Sequence, residues 1–178
     1  AGAGLNLKWL EFAGATPVQS SLPEAYTSMQ TGVYNGWIMF PSGYVNFKLY
    51  EVGKFYTEIG FGAITWHGIT VNRARWAKLP KEVQAIILEV GREYEARTGT
   101  FNKETYPKQI EQLKSLGTVV NKVPDSVRVD WANSLKGWPQ EKATELDKAG
   151  LPASQVLKLA LEEAEKLGHK WPVRYQVK

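Results

Sequence analysis

The sequence predicts an α/β protein, and three observations lead there. Short runs of β-branched and aromatic residues alternate with stretches in which apolar residues recur every three or four positions. Glycine and proline, 16 and 9 of the 178 residues, fall at the junctions between those runs. One helical pattern, opening at Pro80, approaches 25 residues and is long enough to link two lobes. The composition agrees: 43% hydrophobic and 22% charged residues are enough to build a core, whereas a disordered chain is poorer in apolar residues.

The elements follow in order. Residues 5–12 read as a helix with Leu7, Leu10 and Trp9 inward, ended by Gly14. Residues 16–19 form a short strand. Ser21, Pro23 and Glu24 make an N-terminal helix signature, a capping box with proline in the first turn, and that helix runs to Gln30 and stops at Gly32. Residues 35–40 read as a buried strand, because Trp37, Ile38, Met39 and Phe40 are apolar on both faces. Pro41 and Gly43 break it, and residues 44–50 are a short helix or loop. Residues 56–72 are β-rich, with Gly60, Gly62 and Gly68 interspersed. A turn of helix at 73–77 precedes the long helix. Val83, Ile87, Val90, Tyr94 and Phe101 mark its buried face, and Pro107 interrupts it before a second piece at 108–116. After Gly117, residues 118–120 are a strand. Another helix opens at Pro124 and Asp125 and buries Val127, Trp131 and Leu135; Trp138 and Pro139 kink or break it. Gly150 and Pro152 introduce a last helix at 153–167, and a tail follows. The expected organisation is an α/β segment at 1–79, the long helix and its continuation at 80–116, and a strand with C-terminal helices at 117–178.

Composition excludes several kinds of chemistry. The chain has no cysteine, which removes disulfides, thiolate metal sites and a cysteine nucleophile. No apolar run approaches the roughly 18 residues of a membrane span. The first residues have neither the basic start nor the apolar block of an export signal, so a mature form or an excised piece is expected. The net charge of +4 is mild and the basic residues are dispersed among acids, which argues against nucleic acid as a partner. No Asp precedes Asp125.

No catalytic pattern is present. His67 and His169 are the two histidines, and neither has a ligand partner at helical spacing, so no metal and no cofactor is expected. There is no GxSxG, and Gly60-Phe61-Gly62 lacks the third glycine of a dinucleotide loop. Trp37, Met39 and Phe40 admit two readings: a core strand, or the end of a strand beside Pro41, where α/β folds place ligands and where Phe61 and Trp66 would join them. The function classes left open are a binding protein, a small α/β enzyme and an interaction module using exposed tryptophans.

The stretch from Gly14 to Gly36 resembles one family. Gly14-Ala15-Thr16-Pro17, Glu24-Ala25-Tyr26, Met29-Gln30-Thr31-Gly32 and Asn35-Gly36 keep the order and spacing of the substrate-binding subunits of tripartite ATP-independent periplasmic (TRAP) transporters, the DctP type. Leu49-Tyr50-Glu51-Val52, Trp76-Ala77-Lys78-Leu79-Pro80, Leu113 to Gly117 and Lys148 to Pro152 continue the match over almost the whole chain. The resemblance implies a periplasmic-binding-protein-like α/β fold in which two lobes close on a carboxylate, with a lobe-spanning helix. It implies periplasmic localisation, a small organic acid as ligand, and the transporter's membrane subunits as partners.

The resemblance also implies that the chain is the C-terminal portion of a longer protein, lacking most of the N-terminal lobe. The family's carboxylate-gripping Arg would then fall about two positions before Ala1, and weak binding by this chain alone is expected. The family's ligand-contacting Asn corresponds here to Met39 or Phe40, and its preceding Asp to Asn35, which points to an acid with an apolar or aromatic body. The candidate ligand-binding residues are Asn6, Trp37, Met39, Phe40, Phe61 and Trp66.

Overall fold

The computed structural model describes residues 1–2, 4, 6–60 and 68–177. Its elements are α1 (Asn6–Phe12), a 3-10 turn (Leu22–Glu24), α2 (Ala25–Gln30), α3 (Pro41–Asn46), α4 (Leu49–Val52), β1 (Phe55–Glu58), α5 (Arg73–Trp76), α6 (Lys81–Ser115), β2 (Val119–Lys122), α7 (Asp125–Ser134), α8 (Trp138–Lys148) and α9 (Ala153–Lys166). Strands β1 and β2 form a two-stranded sheet. The Val119 amide donates to Lys54 O and the Val123 amide to Glu58 O, so the register advances in the same direction along both strands and the pair is parallel. The crossover between them carries α5 and α6, as a parallel connection requires. Among the described residues, no helix is long and apolar enough to cross a membrane.

The chain divides into two compact units. One comprises Ala1–Ile38, Thr57–Phe61 and Asn121–Lys178; the other Met39–Tyr56 and Gly62–Val120. In the first, Ala25, Tyr34, Ala132, Leu135, Ala143 and Val173 are buried, and α8 packs on α9. In the second, Leu49 and Leu113 are fully enclosed, with Tyr44 and Ile110 beside them in burial, and α3 packs on α6. Gln84 is buried there because its amide nitrogen donates to Trp76 O at 3.1 Å and Leu79 O at 2.9 Å. One side chain thus ties the end of α5 and the turn that follows it to the first turn of α6.

Several expectations need correction. Residues 16–19 do not form a strand: a single parallel bridge joins Gln19 to Gly2. Residues 35–40 are irregular: among the described residues the Ala1 amine donates to Gly36 O and the Ile38 amide donates to Ala1 O, and two bonds to one residue do not make a ladder. Of the β-rich stretch at 56–72, the first strand is present as β1; residues 61–67, which include His67, lie outside the described residues, and 68–72 are irregular. The ambiguous segment at 44–50 resolves into the two short helices α3 and α4, joined through Lys48 in a left-handed conformation at φ 54°.

The long helix differs most. Pro107 does not interrupt it, and α6 runs unbroken for 35 residues. Proline removes one backbone donor inside a helix, a cost of about 3 kcal/mol. Here Pro107 is exposed, so water can solvate the freed carbonyl, and the buried Ile110 and Leu113 anchor the turns beyond it. The predicted buried face of α6 is also not buried: Val83, Ile87, Val90, Tyr94 and Phe101 are exposed, as is every residue from 85 to 97. The helix ends as a glycine stop should. Gly117 takes φ 84°, its amide donates to Lys114 O, and the Thr118 amide donates to Leu113 O. In α7, Leu135 is buried and Trp131 half-buried, but Val127 is exposed; Ala132 takes the inward position. The helix does break near Trp138 and Pro139: α7 ends at Ser134 and these two residues open α8, with Pro139 in its first turn.

Candidate functional site

The segment from Tyr34 to Tyr44 carries most of the predicted ligand residues. Its first half is held in one unit. Tyr34 is buried and shares a 3.2 Å hydrogen bond with the Ser20 hydroxyl. The Trp37 ring lies against Tyr34, centroids 5.6 Å apart and tilted by 50°. The backbone here is fastened to the first two residues: the Ala1 amine donates to Gly36 O, and the Ile38 amide donates to Ala1 O at 2.9 Å. On the other side, Gly2 donates to Val18 O and accepts from the Ser20 amide. Trp37 is thereby half-buried on a pinned backbone. Asn6, at the start of α1 and half-buried, belongs to the same unit.

The second half belongs to the other unit. Phe40 precedes Pro41, and a residue before proline is pushed into extended geometry; its φ and ψ are −69° and 151°. Pro41 then supplies the first turn of α3, where a missing donor costs nothing. Met39 is half-buried and its carbonyl accepts a 3.1 Å hydrogen bond from the Tyr56 hydroxyl. Tyr56 meets Tyr44 edge-on at 5.4 Å. Tyr44 is buried, and its hydroxyl donates to Gly53 O. Burial raises the Tyr44 pKa, so the hydroxyl remains a donor through the neutral range. Phe40 is 44% exposed.

The Met39–Phe40 stretch offers apolar surface and backbone, and no Asp, Glu, His, Lys or Arg is among the residues named around it. It suits packing against the body of a small molecule rather than proton transfer. Trp37 and Met39–Phe40 fall in different units; Phe61 and Trp66 lie outside the described residues. Tyr34, Tyr44 and Tyr56, which hold the segment, escaped sequence reasoning. Nothing local couples Tyr56 to a carbonyl 17 residues earlier, and the bond arises only once β1 is placed. Among the described residues, no three His, Asp or Glu side chains are grouped to hold a metal ion.

Comparison with known proteins adds a second line. Residues 2–145 match the family model DctP, described as bacterial extracellular solute-binding protein, family 7. The chain is 26% identical over 151 residues to the C4-dicarboxylate-binding periplasmic protein DctP of Rhodobacter capsulatus, covering 84% of this chain and 44% of that protein. It is 32% identical over 88 residues to a solute-binding protein of Albidiferax ferrireducens, covering 48% of this chain and 26% of that one. The chain thus spans less than half the length of these curated relatives. Among solved structures, a TRAP periplasmic solute-binding protein of Rhodoferax ferrireducens with bound malonate superposes with a TM-score of 0.77 at 23% identity, covering 95% of this chain and 54% of that one. One from Bordetella bronchiseptica, with bound (R)- and (S)-mandelate, gives 0.74 at 21% identity, covering 92% and 53%. At these identities the structures establish the fold: periplasmic-binding-protein-like of the TRAP type.

Proposed function

Because this chain belongs to the bacterial extracellular solute-binding proteins, family 7, we propose that it serves the capture of a small organic acid with an apolar or aromatic body, in the periplasm, for uptake by the membrane subunits of a TRAP transporter. The observation that carries this reading is Phe40: a large aromatic ring, 44% exposed, on a backbone held by Pro41 and the Tyr56–Met39 bond, in the segment where the resemblance locates ligand contacts. Exposed aromatic surface on a fixed backbone favours a ligand that can cover it, since removing apolar area from water contributes about 25 cal/mol per Å². Relatives of the same fold carry acids as different as malonate and mandelate, so the fold accommodates both aliphatic and aromatic bodies. The role is binding and release without bond making, with a closed form favoured by the ligand's differential affinity for it.

The test is thermal unfolding of the 178-residue chain with millimolar (R)-mandelate, malonate, or benzyl alcohol as the uncharged aromatic control. Ligand that binds the folded state raises the midpoint by mass action. Mandelate is expected to raise it more than malonate, and benzyl alcohol to leave it unchanged. Equal midpoints with all three overturn the proposal; a larger rise with malonate overturns the aromatic part of it.

A further inference from the structure

We propose that Tyr56 and Gly43 are positioning residues that set the presentation of Phe40 and thereby the preference between aromatic and aliphatic acids. The inference rests on the reading that Phe40 touches the ligand. What fixes Phe40 is the residue before it and the residue after it. Behind it, the Tyr56 hydroxyl holds the Met39 carbonyl at 3.1 Å. That carbonyl belongs to the peptide that leads into Phe40, so the bond restrains the plane from which the ring projects. Ahead of it, Pro41 fixes its own φ and confines Phe40 to the extended region it occupies.

Gly43 completes the device. A Cβ built at Gly43 would stand 2.3 Å from Met39 Sδ and 2.9 Å from Met39 Cγ, well inside any tolerated contact. The Met39 side chain therefore lies back over α3, in space that exists only because residue 43 has no side chain. Met39 consequently acts from behind the segment, while its neighbour Phe40 is the exposed member. Tyr56 is in turn seated on Tyr44, which is 4% exposed and anchored to Gly53 O. The chain of contacts runs Gly53, Tyr44, Tyr56, Met39, Phe40, all within one compact unit. An aromatic ring carried on a backbone so restrained has less freedom to lose when a flat ligand stacks on it, and preorganisation of that kind favours ligands that use the ring over those that do not.

The experiment compares binding of (R)-mandelate and malonate by calorimetric titration in the unaltered chain, Tyr56→Phe, Gly43→Ala and Phe40→Ala, at a temperature where each variant is fully folded by circular dichroism. Tyr56→Phe keeps the ring and removes one hydrogen bond, so mandelate affinity is expected to fall about three- to tenfold, and malonate affinity less than twofold. Gly43→Ala displaces the flexible Met39 side chain and shifts the ratio in the same direction. A uniform loss for both acids would mark Tyr56 as merely structural and overturn the inference. An unchanged mandelate-to-malonate ratio in Phe40→Ala overturns the underlying reading and the inference with it. A ratio altered in Phe40→Ala but unaltered in Tyr56→Phe and Gly43→Ala overturns the inference alone. A ligand-free measurement stands beside these. The chain has two methionines, so a labelled methionine methyl spectrum resolves Met29 and Met39. Tyr56→Phe and Gly43→Ala are expected to move the Met39 signal and leave Met29 in place; an unmoved Met39 signal in both overturns the inference whether or not either acid binds.

Discussion

Asp147 shows how one side chain can close a corner between helices. The Ser154 hydroxyl donates to its carboxylate, and the Ser154 amide donates to Oδ1 at 3.0 Å. The hydroxyl bond first and the amide bond second hold the Asp147 pKa below its ordinary value. A lowered folded-state pKa contributes stability above the unfolded pKa, and that contribution disappears as pH falls through the folded value. Ser154→Ala should therefore raise the Asp147 pKa toward the ordinary carboxylate value in a carboxyl-resolved NMR titration and lessen the acid-side loss of stability. A pKa that stays depressed in the variant would assign the shift elsewhere. Glu24, at the end of the 3-10 turn, follows the same logic: the Ser21 hydroxyl first, and the Ser21 amide at 3.4 Å second, hold its pKa below the ordinary value. That capping box was legible in the sequence, because both partners lie three residues apart. The Ser154–Asp147 bond was not, because it joins two helices across a turn whose shape no local spacing specifies.

At the scale of elements, α6 decides the outcome. Gly91 and Gly99 sit within it, and a Cβ at either position would meet nothing within 4 Å. Gly91→Ala and Gly99→Ala should each stabilise by about 1 kcal/mol, since glycine lowers helix propensity by that amount and no clash opposes the change. In a chain of this size that corresponds to about 2–4 °C in the thermal midpoint. Pro107→Ala restores one helical hydrogen bond and should stabilise by up to about 3 kcal/mol. A neutral or destabilising result would mean that the Pro107 ring itself contributes to packing. The sequence placed the start of α6 correctly, behind Leu79-Pro80, because proline is a strong boundary signal. It misjudged the interior, since propensity treats an internal proline as a stop and cannot weigh it against the buried anchors Ile110 and Leu113 further along.

For the whole molecule, burial is concentrated in few places. Leu113 is fully enclosed, whereas Val90, on the same helix, is 56% exposed. Leu113→Ala should cost about 2–5 kcal/mol through lost contacts and the cavity left behind, while Val90→Ala should change stability by about 0.5 kcal/mol or less. Urea unfolding of the two variants measures the contrast; comparable losses would show that the free stretch of α6 is covered in solution. The apolar periodicity of α6 was real, but periodicity reports that a face is apolar and not that a neighbour covers it.

What the sequence by itself determined was everything encoded within a few residues or in an ordered string of motifs. That includes the helix start at Asp125, the helix break near Trp138 and Pro139, the glycine stop at Gly117, a strand after it, and membership of the solute-binding family. These depend on local backbone preference and on patterns read in one dimension. Only the tertiary structure decided that residues 35–40 are irregular and not a strand, that α6 passes through Pro107, and that Met39 is pinned by Tyr56 while Phe40 is left exposed. The physical reason is common to all three. A strand exists only if another segment supplies its hydrogen-bond partners, a strained helix persists only if its ends are anchored, and a side chain is buried only if something else arrives to cover it. Each is a property of residues far apart in the chain, and none is written at the position where it takes effect.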